Sequence, residues 1–277
     1  MSTLNQKVIV LSGFARGGTN IVWNILQSHP QICSPIRETG QIFNESLKLK
    51  LAYNLRSLNF GKRLIDEELF RYKMQNLSHY ENKHKSPSQL YSEREVQQSA
   101  LCLKSVNTDI FYTDLLTKIY PDLYFISLIR NGYALCDGYI RRGKTAKQAG
   151  QLYQQMADEF KRLSGIIPNF KMIQFEDVIS DPFKMSQDLF LFTDVFPVKL
   201  THLRLKSKKV MRESGKHAPI YGDQGHKYWF DHANIHHSLD SSVNNIQQSR
   251  LKPSMIEDFN NEARDAIEYF GYEILIP

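Results

Sequence analysis

The chain has 277 residues, 42% of them hydrophobic, with a net charge of +6. That length and composition suit one substantial globular core and exclude a small disulfide-stapled scaffold. No apolar run approaches the twenty residues of a membrane span, and MSTLNQK at the N-terminus lacks the apolar stretch of a signal peptide. Three widely spaced cysteines (Cys33, Cys102, Cys136) fit a reducing compartment, so a cytoplasmic location is expected. The positive charge suits a polyanionic small molecule or an acidic acceptor; nucleic acid would also suit it, so charge alone does not decide, and no nucleic-acid partner is expected.

The first stretch, Lys7 to Gln27, predicts strand, glycine loop and helix. Val8 to Leu11 is a continuous apolar run, as in a strand buried on both faces of a parallel sheet. Gly13, Gly17 and Gly18 permit a tight turn, and Ile21, Val22, Ile25 and Leu26 recur at helical spacing. Such a unit aims free backbone N–H groups and the positive end of a helix at one point, which binds phosphate or sulfate. Gly13 and Gly18 have the spacing of a nucleotide-binding phosphate loop. Thr19 and Asn20 stand where a kinase or ATPase places its phosphate lysine and its magnesium hydroxyl, and a cation sits inside the loop instead, at Arg16. A phosphate-bearing donor used without metal fits this loop better than a magnesium nucleotide.

Pro30 stops the first helix. Residues 41–98 form a helical and loop excursion: GQIFNESLKLKLAYNLRSL and ELFRYKMQNL have helical character, and SHYENKHKSPSQLYSEREVQQ reads as a polar, mobile loop or lid. ALCLKSVN predicts a short buried strand with Lys104 near its end, on the sheet edge where ligands bind. DIFYTDLLTKIYP predicts an amphipathic helix stopped at Pro121. LYFISLI predicts a central strand leading to Arg130, whose planar fork suits a phosphate. A long helix is expected from Thr145 to about Ser164, then a strand at KMIQFEDV and a helix from Pro182. The last helix starts near Pro253, carries the stripe Ile256, Phe259, Ala263, Ile267 and Phe270, and stops at Gly271. His232 and His236 lie four apart without a cysteine or acidic pattern beside them, and no metal is expected.

Three stretches together resemble the sulfotransferase family, which uses 3′-phosphoadenosine-5′-phosphosulfate (PAPS) as donor. They are FARGGTNIVWNILQSHPQI, LYFISLIRNGYALCDGYIRRG and KMIQFEDVISDP, spread from about Lys7 to Val195 in the family's order, and the terminal FGYEI is similar to the family's usual end. The resemblance implies a three-layer α/β fold with a mostly parallel sheet and one domain over 1–277, the excursion helping to build the acceptor side. It implies that Arg16, Gly17, Gly18, Thr19 and Asn20 hold the donor's 5′-phosphosulfate, with the amides from Gly17 to Asn20 as the cradle. Arg130 would anchor the 3′-phosphate. The serine that usually assists it is replaced by Gly138, with Arg141 or Arg142 as compensating cations. Arg212, Gly215 and Lys216 correspond to a loop that closes over the same phosphate.

Glu38, in ICSPIRETG, matches the glutamate that serves as base in carbohydrate-type and bacterial members; a surface role or a pair with Arg37 is the alternative. Lys104 matches a lysine beside the reacting sulfate. The histidine base of the phenol and steroid enzymes, two residues after that lysine, is replaced by Val106, which moves weight to Glu38. The implied function is transfer of a sulfuryl group to a hydroxyl or amine of a small-molecule or carbohydrate acceptor. A small-molecule kinase and a non-catalytic nucleotide- or polyanion-binding protein are the alternatives.

Overall fold

A computed structural model describes residues 7–55, 58–196, 198–207, 209–211, 217–219 and 221–277. Strand β1 (Val8–Gly13) leads through residues 14–18 into helix α1 (Thr19–Leu26), followed by the two-residue strand β2 (Ile32–Cys33). The excursion then forms α2 (Thr39–Glu45), α3 (Leu47–Leu55), α4 (Leu58–Met74) and α5 (Glu93–Gln98). The chain returns as β3 (Ala100–Val106), a 3-10 turn over Asn107–Tyr112 and α6 (Thr113–Ile119). Next come β4 (Tyr124–Ile129), α7 (Gly132–Ile140), α8 (Ala146–Ser164), β5 (Asn169–Gln174), α9 (Phe175–Ser180) and α10 (Pro182–Phe192). Four short strands, β6 (Leu203–Lys206), β7 (Lys209–Met211), β8 (His217–Pro219) and β9 (Lys227–Phe230), precede α11 (Val243–Gln248) and α12 (Pro253–Tyr269).

The main sheet is five-stranded and parallel, in the order β2-β3-β1-β4-β5. Its side chains alternate between two cores, which is why the strands read as unbroken apolar runs. Val8, Val10, Leu101, Leu103 and Phe125 face one core, with Tyr153 and Phe160 of α8 and Phe259 and Ile267 of α12. Ile9, Leu11, Cys102, Ile126 and Leu128 face the other, with Val22 and Ile25 of α1 and Phe183 and Phe190 of α10. The result is the expected three-layer α/β arrangement. The chain runs outward from central β1 to β3 on one side and β4 on the other. The topological switch, where ligands bind in such sheets, therefore falls at the carboxyl end of β1.

Local chemistry sets the boundaries. Thr145 Oγ1 accepts from the Gln148 N–H (3.1 Å) and Gln148 Oε1 accepts from the Thr145 N–H (3.0 Å), a reciprocal cap that starts α8. Asp181 caps α10 through the Lys184 N–H (3.0 Å), with Pro182 in the first turn. Gly271, at φ 77°, ends α12.

Two expectations need correction. The helix expected at Asp109–Tyr120 begins as a 3-10 turn and is α-helical only from Thr113. The polar segment after α4 is held down rather than free. The Tyr91 N–H bonds the Lys83 carbonyl (2.7 Å), the Tyr91 hydroxyl donates to the Ile32 carbonyl (3.1 Å), and Ser92 caps α5. The buried Arg204 guanidinium donates to the carbonyls of Glu81 (3.4 Å) and His84 (3.3 Å). No helix among the described residues is long and apolar enough to cross a membrane.

Candidate active site

The loop after β1 holds two left-handed residues, Arg16 (φ 69°) and Gly18 (φ 92°). At Gly18 a side chain is doubly excluded, because a Cβ would stand 2.3 Å from Cδ2 of Phe175. The Gly17 N–H turns inward to the Phe14 carbonyl (2.9 Å) and closes the turn. The open amides therefore begin at Gly18, not Gly17: those of Gly18, Thr19 and Asn20 make no hydrogen bond among the described residues, and no side chain caps α1. Three unpaired N–H groups at a helix start form an anion cradle.

Asn107, itself at φ 52°, braces the loop from behind. Its Oδ1 accepts from the Ala15 N–H (2.8 Å) and the Tyr139 hydroxyl (3.1 Å).

Glu38 and Lys104 are brought together at the mouth of this cradle. Lys104 Nζ lies 2.7 Å from Glu38 Oε1 and 2.6 Å from Asn20 Oδ1, and 4.4 Å from the centre of the Trp23 ring. The Lys104 side chain is 1% exposed and that of Glu38 34% exposed, so the carboxylate is open to solvent while the ammonium is enclosed. Burial pushes the Lys104 pKa down, and Glu38 opposes that. Glu38 pairs with Lys104; Arg37 pairs instead with Glu45 (2.8 Å). Glu38 stands at the start of α2, where its N–H donates to Gln41 Oε1 (3.2 Å). The next turn is fixed by two bonds: Thr39 Oγ1 to the Lys104 carbonyl (3.0 Å) and the Gly40 N–H to Asp109 Oδ2 (3.1 Å).

Arg130 follows β4 and reaches the loop from the other side. It is buried, lies over the Phe175 ring at 4.4 Å, and donates to Asn244 Oδ1 (2.8 Å), the Arg16 carbonyl (2.5 Å) and Gln247 Oε1 (2.5 Å). A guanidinium has five N–H groups, so two remain after these bonds. Burial lowers its pKa to about 10, against the raising effect of Glu176, and it stays charged at neutral pH.

Gly138 is buried on α7 beneath Arg16, whose Cβ and Cγ lie 3.6 Å from where a Cβ would be. Arg16, Arg141 and Arg142 are exposed and mutually repulsive; the last two lower the Arg16 pKa after burial has done so. Asp137 offsets part of this charge through Arg141 (3.0 Å) and Arg250 (3.7 Å). Arg212, Gly215 and Lys216 lie outside the described residues.

Several residues of the site have no simple sequence signal. Asn107 and Asp109 act through side-chain bonds to groups distant in sequence, Asn107 to Ala15 and Tyr139 and Asp109 to Gly40. Glu176 accepts from the Asn131 N–H (3.0 Å), from the Tyr272 hydroxyl (2.8 Å) and from Asn244, and so orders the surroundings of Arg130. Lys227, on β9, reaches within 5.9 Å of the Trp23 ring centre from across the fold. His232 stacks on Phe183, with ring centres 3.6 Å apart.

An anion cradle at the switch point of a parallel sheet, flanked by a buried lysine and a carboxylate, defines a phosphate-loop α/β protein built for group transfer. The chain matches the model of the sulfotransferase family over residues 8–196 and belongs to that family of PAPS-dependent enzymes. Its fold is similar to the sulfotransferase domain of the olefin synthase from Synechococcus PCC 7002: TM-score 0.57, 17% identity, 98% of this chain and 96% of that one. It is also similar to a sulfotransferase domain from the curacin biosynthetic pathway: TM-score 0.54, 14% identity, 98% of this chain and 99% of that one. At such identities the likeness speaks for the fold alone. No curated protein sequence matches the chain.

Proposed function

We propose that the protein transfers the sulfuryl group of PAPS to an acceptor hydroxyl, with Glu38 as general base. The observation that carries this reading is the Lys104 ammonium held between Asn20 of the cradle and Glu38. The residues fit the donor: three open amides for the 5′-phosphosulfate, and the cations Arg16, Arg130, Arg141 and Arg142 beside them. The bound donor supplies a sulfuryl group on a phosphate leaving group.

The chain's own groups do the rest. The amides of Gly18 to Asn20 and the Thr19 hydroxyl bind the 5′ anion. Lys104 and Arg16 place positive charge where negative charge grows on the leaving oxygen. The Glu38 carboxylate, held against Lys104, takes the proton from the acceptor alcohol, which is a poor nucleophile without a base. Arg130, with its two remaining N–H groups, and the exposed Arg141 and Arg142 attract the 3′-phosphate near Gly138, where a serine hydroxyl is absent. Arg212, Gly215 and Lys216 belong to the same proposal as a closing loop. A kinase reading lacks a lysine directly after Gly18.

Calorimetric titration of 3′,5′-ADP with EDTA present tests the donor site, and labelled PAPS with a panel of hydroxylated acceptors tests turnover. Binding without metal is expected. Arg130→Ala should weaken it by about 2–3 kcal/mol, the scale of hydrogen bonds to charged groups; an unchanged affinity would remove Arg130 from the donor site. Glu38→Gln should bind 3′,5′-ADP normally and turn over slowly, whereas normal turnover would exclude Glu38 as the base.

A further inference from the structure

Helix α11, VNNIQQ, buries the reverse of what a surface helix normally buries. Asn244 and Gln247 are 8% and 6% exposed, while Ile246 between them is 44% exposed. Burying amides and exposing an isoleucine is unfavourable unless the amides meet polar partners. Three positions apart, the two side chains share one face of the helix, and that face meets Arg130.

Asn244 Oδ1 accepts from Arg130 Nε (2.8 Å) and Gln247 Oε1 from Nη2 (2.5 Å), while Nη1 donates to the Arg16 carbonyl (2.5 Å). All three acceptors are neutral, and among the described residues no carboxylate forms an ion pair with Arg130. The carboxylates of this neighbourhood are engaged elsewhere. Glu176 Oε1 accepts from Asn244 Nδ2, so the amide stands between that carboxylate and the guanidinium. Asp137, beside Gly138, is held by Arg141 (3.0 Å) and Arg250 (3.7 Å). Arg16 and Arg141 add further positive charge around Arg130. A carboxylate on the guanidinium fork would pair with it and cancel its charge, whereas an amide oxygen orients the fork and leaves the charge in place. One N–H on each terminal nitrogen stays open.

We propose that Asn244 and Gln247 are positioning residues that aim Arg130 with neutral oxygens, and so make the donor site selective for a nucleotide that carries a 3′-phosphate over one that lacks it. This rests on the sulfotransfer reading, which puts the 3′-phosphate at Arg130, and adds the element that holds the arginine there. Glu176 acts one step further back. By accepting from Asn244 Nδ2 it fixes the amide so that its single oxygen faces Nε. The bond from Nη1 to the carbonyl of left-handed Arg16 then ties this clamp to the loop that cradles the 5′ anion.

The test is calorimetric titration of 3′,5′-ADP and of 5′-AMP, which lacks only the 3′-phosphate, into the full chain and its variants. The ratio of the two dissociation constants reads the 3′-phosphate, because damage to the 5′ cradle or to the fold weakens both nucleotides together. The parent should bind 3′,5′-ADP at least about tenfold tighter than 5′-AMP. Gln247→Glu keeps the acceptor oxygen and the shape and adds the charge that the proposal says is excluded, so the ratio should fall about tenfold. If the amides did no more than satisfy a buried arginine, the new carboxylate would satisfy it equally well and the ratio would not move. Gln247→Met and Asn244→Ala each remove one anchor, should lower the ratio several-fold, and decide the matter if the glutamate variant does not fold. A parent preference for 3′,5′-ADP that survives in every folded variant overturns this inference and leaves the donor reading standing. A ratio that rises in Gln247→Met or Asn244→Ala also overturns it, since the amides would then compete with the phosphate for the fork. A parent that binds both nucleotides equally defeats the donor reading at Arg130 and this inference with it.

Discussion

At the scale of single residues, Gly138 is the most informative departure from the sulfotransferase pattern. The built Cβ position lies 3.6 Å from two carbons of Arg16, an ordinary van der Waals contact with no backbone in the way. Nothing in the packing requires glycine there, and φ is not positive. Gly138→Ser should therefore fold, gain a few tenths of a kcal/mol from better helix propensity, and place a hydroxyl beneath Arg16. If the 3′-phosphate is held here, 3′,5′-ADP should bind about tenfold tighter or more, on the scale of a hydrogen bond to a charged group, about 1.5–3 kcal/mol. Titration of the variant beside the parent checks it, and an unchanged or weaker affinity would place the 3′-phosphate elsewhere. Gly40 is the opposite case. A Cβ there would fall 2.1 Å from Asp109 Oδ1, so Gly40→Ala must displace either the carboxylate or the start of α2 that carries Glu38. Turnover should fall with little change in 3′,5′-ADP affinity.

At the scale of elements, the site is a junction. The end of β3, the phosphate loop and α7 meet at Asn107, whose one oxygen serves Ala15 and Tyr139. Asn107→Ala removes both bonds and leaves alanine in a left-handed conformation that asparagine tolerates better, for a loss of about 2–3 kcal/mol. Asn107→Gly loses the bonds and keeps the backbone, so the difference between the two variants in chemical denaturation separates conformation from bracing. Both should weaken 3′,5′-ADP binding, since the Ala15 N–H anchors the cradle. Equal stability of both variants with the parent would mean that the brace carries nothing.

This junction also shows how far the sequence was legible. The strand, loop and helix from Val8 to Leu26 could be read because local rules all agreed: an apolar run, glycines at the turn, then a 3.6-residue period. Lys104 and Arg130 could be placed because they stand at or next to the ends of apolar runs, and the topology carries those ends to one edge. Glu38 depended on a family likeness over a short loop. Asn107, Glu176 and Lys227 were not legible. Their partners are 32 to 145 residues away in sequence, and a polar residue in a turn carries no local mark of which distant group it will meet. The excursion misled for the same reason. A polar composition suggested mobility, while its backbone carbonyls are bound by Arg204 from a strand more than a hundred residues on.

For the whole molecule, the same surplus of positive charge that suits a polyanionic donor opposes folding, and pH exposes the conflict. Lys227 and Lys73 are held below their ordinary pKa, to about 6 and about 8, chiefly by burial. Their folded pKa values lie below the unfolded value, so between the two the unfolded chain binds more protons and stability must rise with pH. For Lys227 the window runs from about pH 6 to the ordinary lysine range near 10.5, and for Lys73 it opens near pH 8. His29 adds to the trend at lower pH. Its Nδ1 accepts from the Gln31 N–H (3.0 Å) and its Nε2 faces the Phe196 carbonyl (2.8 Å), a neutral tautomer that burial favours; stability is lost as pH falls below about 6.5. The cysteines set the upper limit. Burial raises the pKa of Cys33, Cys102 and Cys136, so the unfolded thiols ionise first and stability is lost above about pH 9. The chain should therefore be more stable at pH 8.5 than at pH 7.0, by on the order of 1–2 kcal/mol, most of it from Lys227 at about 1.4 kcal/mol per pH unit before solvent screening. Chemical denaturation at the two pH values measures the difference. Lys227→Met should flatten the slope and leave the fall below pH 6.5, which belongs to His29. A parent protein with no rise, or a variant with the same rise, would mean that Lys227 keeps its proton in the folded chain.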